Sequence, residues 1–224
     1  MKTKKVLLVF SHPDDESFGP GGTIALWAKR GHELHLVCAT KGEIGNNHTN
    51  DKTELIREKE LKKAAEILGI KKVNFLGYKD GHISNCHIPQ LAQKISAKIN
   101  QFKPHVIMTF NLNGVSGHLD HVAVANATTS AFDKTGFAEK LYYYSLPKAY
   151  TDTIEDYFIH FPDGSEDHEF DEIVNISDVW DTKIAAMMAH ESQKEDIDRI
   201  LAGYKKFPQK KDHFMVRIRK AKNS

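Results

Sequence analysis

Short apolar runs alternate with longer amphipathic segments over the first two-thirds of the chain. Residues 6–10, Val-Leu-Leu-Val-Phe, form a continuous apolar run of the kind found in strands buried on both faces. The pattern predicts strands over residues 5–10, 33–40, 73–76 and 105–110, and helices over residues 22–29, 53–68, 88–99 and 120–132. Strand–helix alternation at this spacing predicts an α/β, Rossmann-like fold with a mostly parallel sheet and helices on both faces.

The helix over residues 53–68 has the strongest helical periodicity, and Gly69 supplies a stop signal after it. We expect its buried face to consist of Leu55, Ile56, Leu61, Ala65 and Leu68.

The pattern becomes less regular after Lys140. Residues 141–144 and 214–218 predict strands, and residues 179–189 and 194–204 predict helices. Residues 157–161 and 173–176 flank an acidic turn at 163–167 and suggest a hairpin-like addition. We therefore expect one domain over residues 1–224 with irregular C-terminal additions.

Polar residues follow each of the four predicted strands. The segments are residues 11–22, 41–47, 77–82 and 111–121, and they carry most of the chemically capable side chains in this half of the chain. Because the carboxyl ends of parallel strands lie at one edge of a sheet, these loops should meet there. The convergence predicts an active-site rim.

Composition narrows the class of protein. The 224 residues carry 31 Lys and Arg against 30 Asp and Glu, a net charge of +1 with no basic block, which argues against nucleic-acid binding. Cys38 and Cys86 form no CxxC pair, and no apolar run approaches the length of a membrane span. We expect a soluble, cytoplasmic protein with no membrane partner.

The loop after the first strand holds His12, Asp14, Asp15 and Glu16. Three adjacent acids repel one another, and a bound cation would remove the cost of placing them together. His12 and Asp15 lie three residues apart, which allows an imidazole and a carboxylate to reach one ion. Nitrogen and oxygen ligands of this kind suit zinc or another divalent metal. Alternatively, the acids could simply favour a helix N-terminus.

The loop after the fourth strand, Gly-His-Leu-Asp-His over residues 117–121, offers a third ligand. Either His118 or His121 would complete a site with an open position for water. Spacing alone does not decide between them.

These two motifs resemble those of the LmbE-like, or PIG-L, superfamily of zinc-dependent N-acetylglucosaminyl deacetylases. The family's (A/P)HPDDE motif stands here as Ser-His-Pro-Asp-Asp-Glu over residues 11–16, and its GHxDH motif is intact over residues 117–121. Further similarity lies at residues 40–45, 57–61 and 77–81, and weakly at His190-Glu191-Ser192-Gln193.

The resemblance implies a role for each motif residue. His12, Asp15 and His121 would bind Zn²⁺ or another divalent metal, and Asp14 would be the general base. His118 would donate to the tetrahedral oxyanion or protonate the leaving amine, and Asp120 would orient a histidine.

Four more residues are candidates for binding the substrate. Arg57 and Asp80 resemble family positions that hold sugar hydroxyls. Arg57 could instead be a solvated helix charge paired with Glu54 or Glu60, and Asp80 could serve turn chemistry alone. Glu43 could lie at the cleft mouth or on the surface, and His190 could line the pocket or only end a helix.

The implied reaction is removal of the N-acetyl group from an N-acetylglucosamine-type sugar or glycoside, such as a bacillithiol-type precursor. The alternatives are a metal-dependent amidohydrolase for another N-acyl amine conjugate, or an idle binding protein of the same fold. The expected partner is a small N-acetylated amino sugar, and family analogy adds a trimeric or hexameric homo-oligomer.

Overall fold

A computed structural model describes residues 3–44, 52–154 and 160–219. The strands are β1 (Lys5–Phe10), β2 (Glu33–Cys38), β3 (Lys72–Phe75), β4 (Val106–Phe110), β5 (Lys140–Ser145), β6 (Glu172–Asn175) and β7 (Lys211–Ile218). Over the described residues they form one sheet in the order β3-β2-β1-β4-β5-β7-β6. The pairs among β1 to β5 are parallel, whereas β7 runs antiparallel to both β5 and β6.

The helices lie on both faces of this sheet. They are α1 (Asp15–Phe18), α2 (Gly21–Lys29), α3 (Thr53–Leu68), α4 (Ile88–Phe102), α5 (Leu119–Thr135), α6 (Lys148–Thr151), α7 (Trp180–Met188) and α8 (Lys194–Lys206). Helices α2, α3 and α7 contribute to the core on one face, and α4 and α5 to the core on the other. The predicted fold class is confirmed.

Strand β1 shows why the sheet must be covered twice. Val6, Leu8 and Phe10 belong to the first core, whereas Leu7 and Val9 belong to the second. Alternate side chains of a strand point to opposite faces, so a run without polar residues needs apolar partners on both sides. Burial of β1 at the centre of the sheet fixes the loop that follows it at the sheet's carboxyl edge.

Helix α3 has the predicted bounds but a different buried face. Leu55 and Ile56 are 51% and 41% exposed, whereas Arg57 is buried at 3% exposure. The prediction for the two apolar residues is wrong because the first turns of α3 face the polar loops and bury a charged side chain there.

The C-terminal additions also differ from the prediction. Strand β6 pairs with β7 rather than with a neighbouring hairpin strand, because β7 returns between β5 and β6. Residues 155–159, which hold most of the other predicted hairpin strand, lie outside the described residues. Among the helices that the structure describes, none combines the length and apolar character needed to cross a bilayer.

Candidate active site

The loops after β1, β2, β3 and β4 meet at the carboxyl edge of the sheet, as predicted. His12 contacts Asp80 and Asp120, with its Nε2 3.0 Å from an Asp80 oxygen and 3.3 Å from an Asp120 oxygen. The His12 Nδ1 lies 3.1 Å from the Nε2 of His121. Side chains from loops distant in sequence thus surround one imidazole.

Asp15 is oriented by the backbone of its own turn. One carboxylate oxygen accepts hydrogen bonds from the backbone N–H groups of Ser11 at 3.0 Å and His12 at 2.6 Å. The other oxygen faces the Nε2 of His121 at 3.2 Å. Burial raises the pKa of Asp15, but the charges of His121 and His12 outweigh it and lower the pKa to about 2. Asp15 therefore keeps its negative charge at neutral pH.

In His12 and in His121, the nitrogen that faces away from the other ring, here called the outer nitrogen, has a partner that determines the tautomer. His12 Nε2 faces carboxylates, and His121 Nδ1 lies 3.0 Å from the carbonyl oxygen of Gly114. Because these partners only accept, the outer nitrogens carry the protons. When both rings are neutral, the inner nitrogens, His12 Nδ1 and His121 Nε2, present lone pairs to each other across 3.1 Å.

This arrangement fits a divalent cation. Two facing lone pairs repel unless a proton or a metal lies between them, and an Asp15 oxygen completes the cluster. Donors around a tetrahedral zinc ion lie about 3.3 Å apart, as follows from bonds of ~2.0–2.1 Å. Burial lowers the pKa of His12, but hydrogen bonds to Asp120 and Asp80 outweigh it and raise the pKa to about 10. The carboxylates thus favour a cation here.

Asp120 joins the histidines to the loop after β3. Its two oxygens accept backbone N–H groups of Gly81 at 2.8 Å, Ile83 at 2.9 Å and Ser84 at 3.2 Å. One of these oxygens also contacts His12 Nε2. Asp120 therefore orients a histidine and fixes the loop that carries Asp80.

Asp14 has a backbone conformation that non-glycine residues rarely adopt, with φ 126° and ψ −28°. Its carboxylate lies 2.8 Å from Arg57, and its backbone N–H donates to Glu16 at 3.2 Å. Burial raises the pKa of Asp14 to about 7, although the charge of Arg57 lowers it. A strained, buried carboxylate with a raised pKa is typical of a functional group.

Arg57 crosses from α3 into this cluster. Besides Asp14, it donates to the carbonyl oxygens of Pro13 at 2.7 Å and Gly42 at 3.2 Å and lies 3.5 Å from Asp80. Gly42 has φ +72°, and a Cβ there would lie 2.5 Å from the guanidinium, so only glycine leaves room for this side chain. The alternative of a solvated Arg57 paired with Glu54 or Glu60 is wrong.

His118 caps α5 and faces the other two histidines. Its Nδ1 accepts the backbone N–H of Asp120 at 3.1 Å, so in the neutral ring Nε2 carries the proton. Its ring lies 4.7 Å from that of His12 and 4.9 Å from that of His121, centroid to centroid. Burial and the charges of His12 and His121 lower the pKa of His118 to about 4. His118 is therefore a neutral N–H donor at neutral pH.

Two of the predicted substrate-binding residues, Glu43 and His190, are not on the cavity wall. Glu43 accepts the backbone N–H of Asp80 at 3.0 Å. His190 is 0% exposed, is absent from the cavity wall and contacts Glu16 at 2.9 Å. The expectation that His190 lines the pocket is wrong, because α7 ends against Glu16 and buries the ring there.

A cavity of about 520 Å³ opens over the cluster. His12, Asp14, Asp15, His118 and His121 line one end, and residues from α6, α7, α8 and β7 line the remainder. Sequence reasoning missed this second wall, because its apolar residues have the spacing of ordinary core positions.

Comparison with known proteins identifies a matching family and several relatives. The family model PIG-L, described as GlcNAc-PI de-N-acetylase, matches residues 7–132. A Bacillus cereus protein named probable N-acetyl-alpha-D-glucosaminyl L-malate deacetylase 2 is 36% identical over 199 residues, covering 86% of this chain and 84% of the relative. A Mycobacterium species (strain KMS) protein named 1D-myo-inositol 2-acetamido-2-deoxy-alpha-D-glucopyranoside deacetylase is 29% identical, covering 84% and 74%.

A solved structure shares the fold. The N,N'-diacetylchitobiose deacetylase from Pyrococcus horikoshii superposes with a TM-score of 0.70 at 23% identity, covering 97% of this chain and 85% of that chain. The matched residues of the family model span both loops of the cluster around His12. The chain therefore belongs to the PIG-L, or LmbE-like, family of de-N-acetylases, as its two motifs predict.

Proposed function

We propose that this protein hydrolyses the N-acetyl group of an N-acetylglucosaminyl glycoside, releasing acetate and the free amine. The observation that carries the proposal is the cluster of His12, Asp15 and His121 directly beside the buried carboxylate of Asp14. The names of the curated relatives, both deacetylases of N-acetylglucosaminyl glycosides, support the same reaction.

The preferred substrate class is a bacillithiol-type precursor, an N-acetylglucosaminyl unit linked to a small hydroxy acid. The Bacillus cereus relative, whose name contains such a conjugate, matches most of both chains.

We assign His12, Asp15 and His121 as the ligands of a zinc ion. Each of the two histidines presents a lone pair to the common centre, and Asp15 remains ionised there. A bound zinc ion would polarise the amide carbonyl and lower the pKa of a water molecule. His12, Asp15 and His121 all line the cavity, so a substrate in the cavity would lie next to the metal.

Asp14 is the proposed general base. It accepts a proton from the attacking water as the water oxygen bonds to the amide carbon. The carboxylate then holds that proton until the amine nitrogen takes it when the C–N bond breaks. Arg57 keeps the carboxylate in position and favours its ionised form.

His118 stabilises the tetrahedral oxyanion. Because its Nδ1 accepts from the backbone, its Nε2–H is the group that can donate to the developing negative charge. Its lowered pKa disfavours a charged ring, so we assign it as a hydrogen-bond donor rather than as the acid for the amine. Asp120 keeps the histidine cluster oriented through His12.

Arg57 and Asp80 define the side of the cavity nearest the base. Both are buried and line the cavity, and their contacts to Asp14 and His12 assign them first to positioning these groups. We propose that the hydroxyl groups of the sugar form hydrogen bonds with the polar atoms of Arg57 and Asp80 that remain accessible from the cavity.

Zinc-loaded protein incubated with N-acetylglucosaminyl malate tests the proposal. The expected result is release of one acetate and one primary amine per substrate, with the released amine detected by derivatisation. A panel of unrelated N-acyl amines tests the alternative of a different amide substrate. Turnover of such a compound, with N-acetylglucosaminides left intact, would replace the proposed substrate class.

A further inference from the structure

The cavity has two ends with different chemistry. The end at His12 is polar and holds the proposed reaction centre. The far end is lined by an aromatic wall, a name we use for Tyr150, Trp180, Tyr204 and Phe207. Hydrolysis of an acetamide group needs nothing from this wall, which leaves it available to another part of a ligand.

The aromatic wall is a continuous surface rather than a set of separate rings. The ring centroids of Trp180 and Tyr204 are 5.0 Å apart, and Tyr150 lies 6.1 Å from both Tyr204 and Phe207. All four side chains are only half-buried, although they pack against one another. Half-buried aromatic faces inside a cavity are suited to stacking against a flat apolar face of a ligand.

The rim of this far end is basic. Lys206 and Lys211 line it, and within the described ranges neither has an acidic side chain at salt-bridge distance. The other two basic groups are paired, Lys183 with Asp212 at 3.2 Å and Arg199 with Asp196 at 2.9 Å. The unbalanced charge at the rim is therefore positive, and it complements an anionic group.

We propose that the aromatic wall and its basic rim form the subsite for the aglycone of the glycoside. Malate would use only the rim, through its carboxylates, and an aglycone that adds a flat apolar face to a negative charge would be processed more efficiently. This inference rests on the proposed function, because the sugar must place its acetamide group at His12. The aglycone then extends along the same cavity, stacks on the aromatic wall and carries its anion to Lys206 and Lys211.

Three α-glycosides of N-acetylglucosamine separate the two parts of this proposal. The methyl glycoside has neither feature, the phenyl glycoside adds a flat apolar face, and the 4-carboxyphenyl glycoside adds a negative charge. With zinc-loaded protein, kcat/KM should rise about three- to tenfold from methyl to phenyl. It should rise about two- to fivefold more from phenyl to 4-carboxyphenyl, and salt should reduce only this second step.

Matched variants assign each step to its residue. Phe207→Ala should reduce the phenyl-to-methyl ratio toward one, whereas Phe137→Ala, which changes an exposed aromatic residue outside the cavity, should preserve that ratio. Lys206→Gln should reduce the gain from the carboxylate, since Lys211 remains. Lys205→Gln, a change at the neighbouring exposed lysine that is not on the cavity wall, should preserve it.

The outcomes distinguish this inference from the proposed function. Equal kcat/KM for the three glycosides would overturn the aglycone subsite while leaving deacetylation established. If Phe207→Ala leaves the phenyl-to-methyl ratio of kcat/KM unchanged, the aromatic wall does not select the substrate. Absence of amine release from every glycoside, by protein that holds zinc, would refute the proposed function itself.

Discussion

Backbone strain at Asp14 gives a prediction of unusual sign. Its φ of 126° is accessible to glycine but costly for any residue with a Cβ, by about 1–3 kcal/mol. Asp14→Gly and Asp14→Ala both remove the carboxylate and its contact with Arg57. The difference between the two variants therefore excludes the lost carboxylate and reports only on the backbone.

The magnitude follows from two opposing effects. Replacing alanine by glycine relieves the strain of about 1–3 kcal/mol and costs roughly 0.5–1 kcal/mol in backbone entropy. Asp14→Gly should therefore be more stable than Asp14→Ala by about 0–2.5 kcal/mol. At Lys59, an exposed interior position of α3, the order should be reversed by about 1 kcal/mol, as in ordinary helices.

Urea unfolding of metal-free protein measures this difference without a contribution from metal binding. The Lys59→Gly and Lys59→Ala pair serves as the control for the method. If Asp14→Ala is the more stable of the two by about 0.5–1 kcal/mol, as at an unstrained position, the strained conformation of the proposed general base is refuted.

Three further predictions concern the site and its packing. Arg57→Met should lower the free energy of unfolding by about 3–5 kcal/mol in urea titrations. Arg57 lowers the pKa of Asp14, which acts as a base only when ionised. This variant should therefore also move the acid limb of the kcat/KM profile to higher pH. An unchanged acid limb would contradict the pairing of Arg57 with Asp14. Gly22→Ala should cost about 1–3 kcal/mol, since its Cβ would lie 2.4 Å from Ile176, and Ile176→Ala should restore part of the loss in the double variant. His121→Ala should weaken zinc binding, measured by competition with a chelator, beyond the ~10–100-fold typical of outer-sphere changes. His118→Ala should retain zinc, and the opposite order would exchange the two assignments.

The convergence of the site loops could be predicted from the sequence because it depends only on the direction of parallel strands. The strand before His12 is apolar on both faces, which places it inside the sheet and its loop at the carboxyl edge. Residues in the loops after β3 and β4, such as Asp80 and Asp120, then had to lie nearby.

The face of α3 could not be predicted in the same way. Apolar periodicity favours Leu55 and Ile56 as buried and Arg57 as exposed, yet the structure has the reverse. Burial of Arg57 depends on Asp14, Gly42 and Asp80, which come from three other loops. The sequence pattern of α3 alone contains no information on these three partners.

The aromatic wall illustrates a similar limit in the C-terminal third. On α8, Ile197 lies in the core at 2% exposure, whereas Tyr204 lines the cavity. Both positions have apolar or aromatic side chains at helical spacing, so periodicity alone predicts burial for each. Only the position of α8 relative to α6 and α7 separates core from cavity.

In the proposed mechanism, Asp14 moves the proton while His12, Asp15 and His121 hold the metal. Asp14→Asn in zinc-loaded protein tests it most directly, with zinc content and amine release from N-acetylglucosaminyl malate measured on the same sample. We expect unchanged zinc content and amine release reduced by about 10²–10⁴-fold. Amine release at the wild-type rate by the zinc-loaded variant would contradict it.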